Sequence, residues 1–178
     1  MPDHLALPPA VFLDGTYGVG KSAVLEHLGD LLAADGTPFA LMDVDWFHRS
    51  WPTAAGDPEN VVIEAQAMAA TWAEYRAAGP RQLVVSGVIA ERADLDRYRA
   101  ALGIDVRCVR LTASDAVVEA RLRSRYDADR VAAREWHLAR FRDLAARQER
   151  ADLAEAVIAT DGVSPRDVAR AVRAALGF

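Results

Sequence analysis

Gly15-Thr16-Tyr17-Gly18-Val19-Gly20-Lys21-Ser22 decides how this chain is read. It satisfies G-x-x-x-x-G-K-[ST] in full, the pattern of a loop that cradles the phosphates of a nucleoside triphosphate. Each residue type has a physical task in that pattern. Glycine allows the tight turn that brings several backbone N–H groups to one anion. A helix starting at the end of the loop adds the positive end of its dipole. The lysine reaches the β- and γ-phosphates, and the serine hydroxyl ligates Mg²⁺. Among 21 basic residues, Lys21 is the single lysine. A compact ammonium on a flexible stem fits inside a ring of backbone amides, where a planar guanidinium is too large. Gly15 through Ser22, with Ala23 following, are therefore the expected nucleotide-binding residues.

Outward from the loop, the context is a strand before it and a helix after it. Val11-Phe12-Leu13 precedes the first glycine. Val24, Leu25, Leu28, Leu31 and Leu32 then recur at helical spacing, and Gly36 ends the helix. Including the run from Ala10 to Asp14, five short apolar runs read as strands; the others are Phe39 to Asp43, Gln82 to Ser86, Val106 to Leu111 and Ala156 to Thr160. Helical patterns lie between them. Asp57-Pro58 reads as an N-cap and first helical position, with Gly79-Pro80 as the stop. Further helices are expected from about Ala93 to Leu102, from near Ser114, from about Asp129 to Ala154, and from Ser164-Pro165. Alternating strands and helices predict an α/β fold with a parallel sheet covered on both faces. Ligands of such sheets sit at the carboxyl ends of the strands.

Composition narrows the function classes. The chain has 178 residues, 52% of them hydrophobic, which suits one domain spanning 1–178 with a sizeable core. Its net charge of −5 argues against a broad nucleic-acid footprint. No apolar run approaches the roughly 18 residues of a membrane span. The start, Met1 to Pro9, has no basic segment and carries three prolines, unlike a signal peptide. Cys108 is the one cysteine and reads as a core thiol. A cytoplasmic protein without nucleic-acid or membrane partners is expected.

With the loop in its strand–helix context, the chain resembles the P-loop small-molecule kinases, among them adenylate, shikimate, gluconate and adenylylsulfate kinases and chloramphenicol phosphotransferase. Three weaker matches follow in the family's order: Leu41 to Arg49, which carries Asp43 and Asp45; Arg121 to Arg125; and Val157 to Gly162. The resemblance implies a three-layer fold around a five-stranded parallel sheet of order 2-3-1-4-5. It implies a short lid around 121–135, bearing Arg121 and Arg125 over the triphosphate, and contact of the Asp161 loop with adenine. No guanine-reading N-K-x-D pattern occurs, so ATP with Mg²⁺ is expected. One departure is that the third strand, Leu83-Val84-Val85-Ser86, lacks the carboxylate expected there. The magnesium shell then falls to Ser22, water and Asp43.

The expected reaction moves the γ-phosphoryl group of ATP to a hydroxyl of a small molecule. Lys21, Asp45 and Arg125 are the candidate catalytic residues. Asp43 and Asp45 are spaced i, i+2, which places both on one face if the strand continues. Asp43, Asp45, His48, Arg49, Glu91 and Arg92 are the candidate acceptor-binding residues. Arg121 and Arg125 lie four apart on a helix and share a face. Asp14, directly before Gly15, has no assigned role. The alternatives are a nucleoside or nucleotide kinase, and an ATPase or regulatory switch with no small acceptor. Antibiotic, sugar, sulfonucleotide and nucleoside acceptors all fit the pattern.

Overall fold

The computed structural model describes residues 7–178, so most of the N-terminal stretch read above for a leader lies outside the described residues. Five strands form one sheet: β1 (Ala10–Asp14), β2 (Phe39–Asp43), β3 (Gln82–Ser86), β4 (Val106–Thr112) and β5 (Ala156–Ala159). All neighbours pair in parallel, in the order β2-β3-β1-β4-β5 that the resemblance implies. The helices are α1 (Lys21–Ala34), α2 (Val61–Ala77), α3 (Arg92–Leu102), α4 (Asp115–Arg125), α5 (Val131–Ala151) and α6 (Pro165–Leu176). None of the helices among the described residues is long and apolar enough to cross a membrane.

Side chains alternate across a strand, so the central strand feeds both apolar layers. Val11 and Leu13 of β1 face Leu28 and Leu32 of α1 and Val168 and Val172 of α6. Ala10 and Phe12 face the opposite layer, with Met68 and Trp72 of α2 and Leu95, Tyr98 and Leu102 of α3. Cys108 is buried in this second layer, and burial raises its thiol pKa far above the ordinary range. With all five of its residues buried, β1 is a rigid stem that ends at the phosphate loop.

Two local expectations need correction. α2 begins at Val61 rather than at Pro58. Asp57 does receive helix N–H groups, those of Val62 and Ile63 at 3.0 and 3.1 Å, but from outside the helix. Asn60 holds the start instead, in a left-handed conformation (φ 55°), with its side-chain amide donating to His48 O and Ser50 O. The preceding loop folds back onto this asparagine, and Pro58 lies within that loop. The second correction concerns Asp43 and Asp45. β2 stops at Asp43, and Val44–Trp46 forms a 3-10 turn, so strand alternation does not relate the two acids. Asp43 caps the turn, its Oδ1 accepting from Asp45 N at 3.1 Å.

Candidate active site

The phosphate loop leaves β1 at Asp14 and enters α1 at Lys21. Gly15 has φ +149°, and a Cβ there would stand 2.6 Å from Leu111 O, so only glycine lets the loop pass β4 this closely. Gly20 (φ +103°) forms the left-handed entry to α1. Thr16 turns its hydroxyl away from the loop's mouth and donates to Phe141 O of α5 at 2.8 Å. Its expected part in nucleotide binding is thereby reduced to its backbone. Lys21 Nζ donates to Gly15 O (2.6 Å) and Thr16 O (3.1 Å), which holds the ammonium over the loop.

Asp14 is the answer to Lys21. It is 3% exposed, and its Oδ1 accepts from Ile89 N at 2.8 Å and Gln148 Nε2 at 2.6 Å. Desolvation lowers the Lys21 pKa, and the charge of Asp14 is the largest opposing influence, ahead of Asp45 and Asp43. Desolvation also raises the pKa of Asp14, opposed by the Ile89 hydrogen bond and the charge of Lys21. The two groups hold each other's charge in a poorly solvated place.

Ser22 Oγ donates to Asp43 Oδ2 at 2.8 Å. A hydroxyl and a carboxylate are the hard oxygen donors that Mg²⁺ prefers, and this ion keeps several waters with one or two carboxylates. The pair therefore fits that ion, although no group of three or more His, Cys, Asp or Glu side chains among the described residues could hold a metal. At the end of β3, where the carboxylate is missing, Ser86 Oγ is buried without a hydrogen-bond partner, in register with Asp43.

A cleft of ≈ 460 Å³ opens beside this pair, lined by Ser22, Asp43, Asp45, Trp46, Arg49 and Arg125 among others. Asp43 and Asp45 thus share the cleft despite the end of the strand. Arg121 does not. Its guanidinium donates to Val19 O (3.0 Å), Thr160 Oγ1 (2.9 Å) and Thr160 O (3.1 Å), which pins α4 to the loop's backbone. It lines a separate cleft of ≈ 260 Å³ with Ala23, Thr160 and Pro165. The shared helix face of Arg121 and Arg125 therefore straddles two clefts. Asp161 accepts from both the N–H and the hydroxyl of Ser114. These bonds lower its pKa and tie two loops together, and they occupy the carboxylate expected beside adenine.

Other expected acceptor residues are dispersed. Glu91 and Arg92 line a different cleft, with Arg147 and Arg150, because Glu91 caps α3 away from Asp45. His48 bonds Glu64 Oε2 at 3.0 Å, and Tyr98 OH donates to Glu64 Oε1 at 2.7 Å. Glu64, Tyr98 and Gln148 escaped the sequence reading. Gln148 is 3% exposed on the buried face of α5 with Phe141 and Leu144, and a polar residue at a core-facing position was the available signal.

No protein-family model matches the sequence, and no curated protein matches it. Solved structures do. The Deinococcus radiodurans tunicamycin resistance protein is 22% identical, with 96% of each chain covered and a TM-score of 0.64. The Mycobacterium tuberculosis APS kinase, solved with AMPPNP and APS, is 18% identical over 97% of this chain and 99% of that one, with a TM-score of 0.65. A Sinorhizobium meliloti gluconokinase is 20% identical over 97% and 93%, with a TM-score of 0.61. Strand order, loop and neighbours agree with the sequence resemblance: this chain has the fold of the P-loop small-molecule kinases.

Proposed function

We propose that this protein is an ATP-dependent phosphotransferase acting on a hydroxyl of a small molecule, with residues 1–178 as one kinase domain and 121–135 as its lid. The observation that carries the reading is the gathering of Ser22, Asp43, Asp45 and Arg125 around one cleft at the mouth of the loop. Nucleotide kinases and gated switches also use such loops. Here an acid and an arginine face a space large enough for an acceptor.

In this reading the loop amides and Lys21 hold the phosphates, and the cleft of Arg121, Thr160 and Pro165 receives the base. When bound at Ser22 and Asp43, Mg²⁺ supplies charge neutralisation at the phosphate oxygens. Asp45 holds and orients the acceptor hydroxyl in line with the leaving oxygen. A bond forms between the acceptor's hydroxyl oxygen and the γ-phosphorus as the bond from that phosphorus to the β–γ bridging oxygen breaks; the bridging oxygen leaves with ADP, and Asp45 takes the hydroxyl proton late. Because the transition state is loose, positioning and charge neutralisation supply most of the catalysis. Arg125 adds a charge-assisted donor when the lid closes.

The test is an ATP-consumption screen over metabolites, nucleosides and antibiotics. Acceptor-dependent ADP release with a phosphorylated product is expected. ADP release unchanged by every acceptor would replace this reading with that of an ATPase or switch.

A further inference from the structure

The last residue of β3 holds a hydroxyl that bonds nothing. Ser86 is 1% exposed, and its Oγ has no hydrogen-bond partner among the described residues. Leaving a buried polar group unpaired is costly, and such a group in a folded protein calls for a water, an ion or a ligand. Four buried side-chain atoms of the described residues are unpaired in this way. The other three are Asp57 Oδ1, Trp72 Nε1 and Arg97 Nε, and Ser86 Oγ alone stands at the carboxyl end of a strand. That end is where a parallel sheet presents its ligands.

Strand register says what this hydroxyl faces. Ser86 pairs with Asp43 of β2 on one side and with Leu13 of β1 on the other. Neighbouring strands lie about 4.8 Å apart, and side chains at paired positions project from the same face of the sheet. Leu13 packs on Leu28 and Leu32 of α1, as does the layer of Val84, two residues before Ser86. Asp43 reaches Ser22 Oγ of α1 at 2.8 Å. Ser86 therefore stands on the α1 face, one strand inward from the Ser22–Asp43 pair and beside the stem of the phosphate loop. Asp14 is on the opposite face, where it is held by Ile89 N and Gln148. The strand end is fixed in place, since Gly87 N donates to Leu13 O at 3.0 Å. A Cβ on Gly87 would stand 2.8 Å from both Phe12 Cζ and Val44 Cγ2.

We infer that Ser86 completes the magnesium site in place of the missing β3 carboxylate, its hydroxyl accepting a hydrogen bond from a water of the ion's shell. This rests on the nucleotide-binding part of the reading above. Mg²⁺ takes few protein ligands and keeps several waters, and the groups that hold those waters tune its affinity. Ser22 Oγ and Asp43 Oδ2 bond each other at 2.8 Å. An ion that uses both oxygens parts that bond, and the hydroxyl one strand inward then meets the shell. A neutral group also suits this position. Asp14, Asp45 and Asp43 already act on the Lys21 ammonium. A carboxylate at residue 86 would add a fourth negative charge where water is excluded.

The experiment measures how far Mg²⁺ tightens AMPPNP. Calorimetry gives the affinity with Mg²⁺ and with EDTA, for wild type, Ser86→Ala and Ser86→Thr. In EDTA wild type and Ser86→Ala are expected to bind AMPPNP equally. With Mg²⁺, Ser86→Ala is expected to bind it about tenfold more weakly, at the low end of what partners of metal-bound groups contribute. Ser86→Thr keeps the hydroxyl and is expected to restore most of the Mg²⁺ effect. Without nucleotide, Ser86→Ala is expected to melt at the wild-type temperature or above, because it removes an unpaired buried hydroxyl. A purely structural hydroxyl would give the reverse, a lower melting temperature with the Mg²⁺ effect intact, and that result overturns the inference while the kinase reading stands. Wild-type AMPPNP affinity indifferent to Mg²⁺ overturns it as well. Loss of the Mg²⁺ effect in Ser86→Ala, in a protein whose ADP release answers to no acceptor, supports the metal site and overturns the kinase reading.

Discussion

Gln148 Nε2 donates a 2.6 Å hydrogen bond to Asp14 Oδ1, joining the last turns of α5 to the residue that opens the phosphate loop. Ile89 N donates to the same oxygen from the loop before α3. One carboxylate therefore fixes three segments and faces the charge of Lys21. Asp14→Asn keeps a carbonyl oxygen for both donors and removes that charge. The pKa of Lys21 then falls further, and the alkaline limb of the pH–rate profile moves to lower pH. Stability moves the other way. Because its folded pKa is raised, Asp14 contributes most below the ordinary carboxyl value of 3.8, and this is lost as pH rises through the folded value. Wherever it is ionised its burial is a net cost, so above the folded value the variant is expected to unfold at equal or higher urea concentration. An unmoved alkaline limb would remove Asp14 from the electrostatics of Lys21.

Lys21→Ala removes a side chain whose protein contacts are two loop carbonyls, Gly15 O and Thr16 O. Turnover is expected to fall by orders of magnitude, since the phosphate contact strengthens in the transition state. Circular dichroism should show an unchanged fold. Wild-type turnover would sink the loop assignment.

Arg121 and Arg125 are expected to fail differently. Arg121→Ala removes the charged donor to Val19 O and Thr160 O, at 3.0 and 3.1 Å, leaving them Thr160 Oγ1 (3.0 Å) and Val163 N (3.5 Å), at about 1.5–3 kcal/mol for hydrogen bonds to a charged group. Its melting temperature should drop and nucleotide affinity should weaken. Arg125 lies in the acceptor cleft over Tyr126. Arg125→Ala should melt like wild type while turnover falls about 10²-fold, the scale for one charge-stabilising donor. Equal effects of the two variants on turnover and melting would refute the division.

Asp45→Asn keeps the shape of an acceptor-only group while adding donors. Nucleotide binding should persist, and single-turnover transfer should drop roughly a hundredfold, within the range of general-base catalysis. Near-normal transfer would take Asp45 out of the mechanism.

His48 gives a pH signature of stability. Glu64 of α2 raises its pKa above 6.5 by a hydrogen bond, with burial opposing, while Asp45 raises and Arg49 lowers it from the same loop. Tyr98 of α3 holds the other Glu64 oxygen, 2.7 Å away. The bond's contribution is complete below pH 6.5 and is lost as pH rises through the elevated value. Urea titrations of wild type and His48→Gln should therefore differ most in acid and converge in alkali. A difference that grows with pH would contradict the pairing.

Much of this was legible in the residues themselves. The strand positions, the loop and the stops at Gly36 and Gly103 follow from apolar period and glycine, which act over a few neighbouring residues. The same local logic put Asp43 and Asp45 after a strand end, where a parallel sheet presents its ligands. It failed at α2, because Asn60 is held by carbonyls ten and twelve residues earlier. It could not part Arg121 from Arg125, since a shared helix face says nothing of which cleft each end of that face meets. Nor could it bring Gln148 to Asp14 or set Glu91 and Arg92 apart from Asp45. Those relations depend on how helices dock on the sheet, and docking is fixed by side-chain packing between residues far apart in the chain, not by the short-range periodicity that writes the elements.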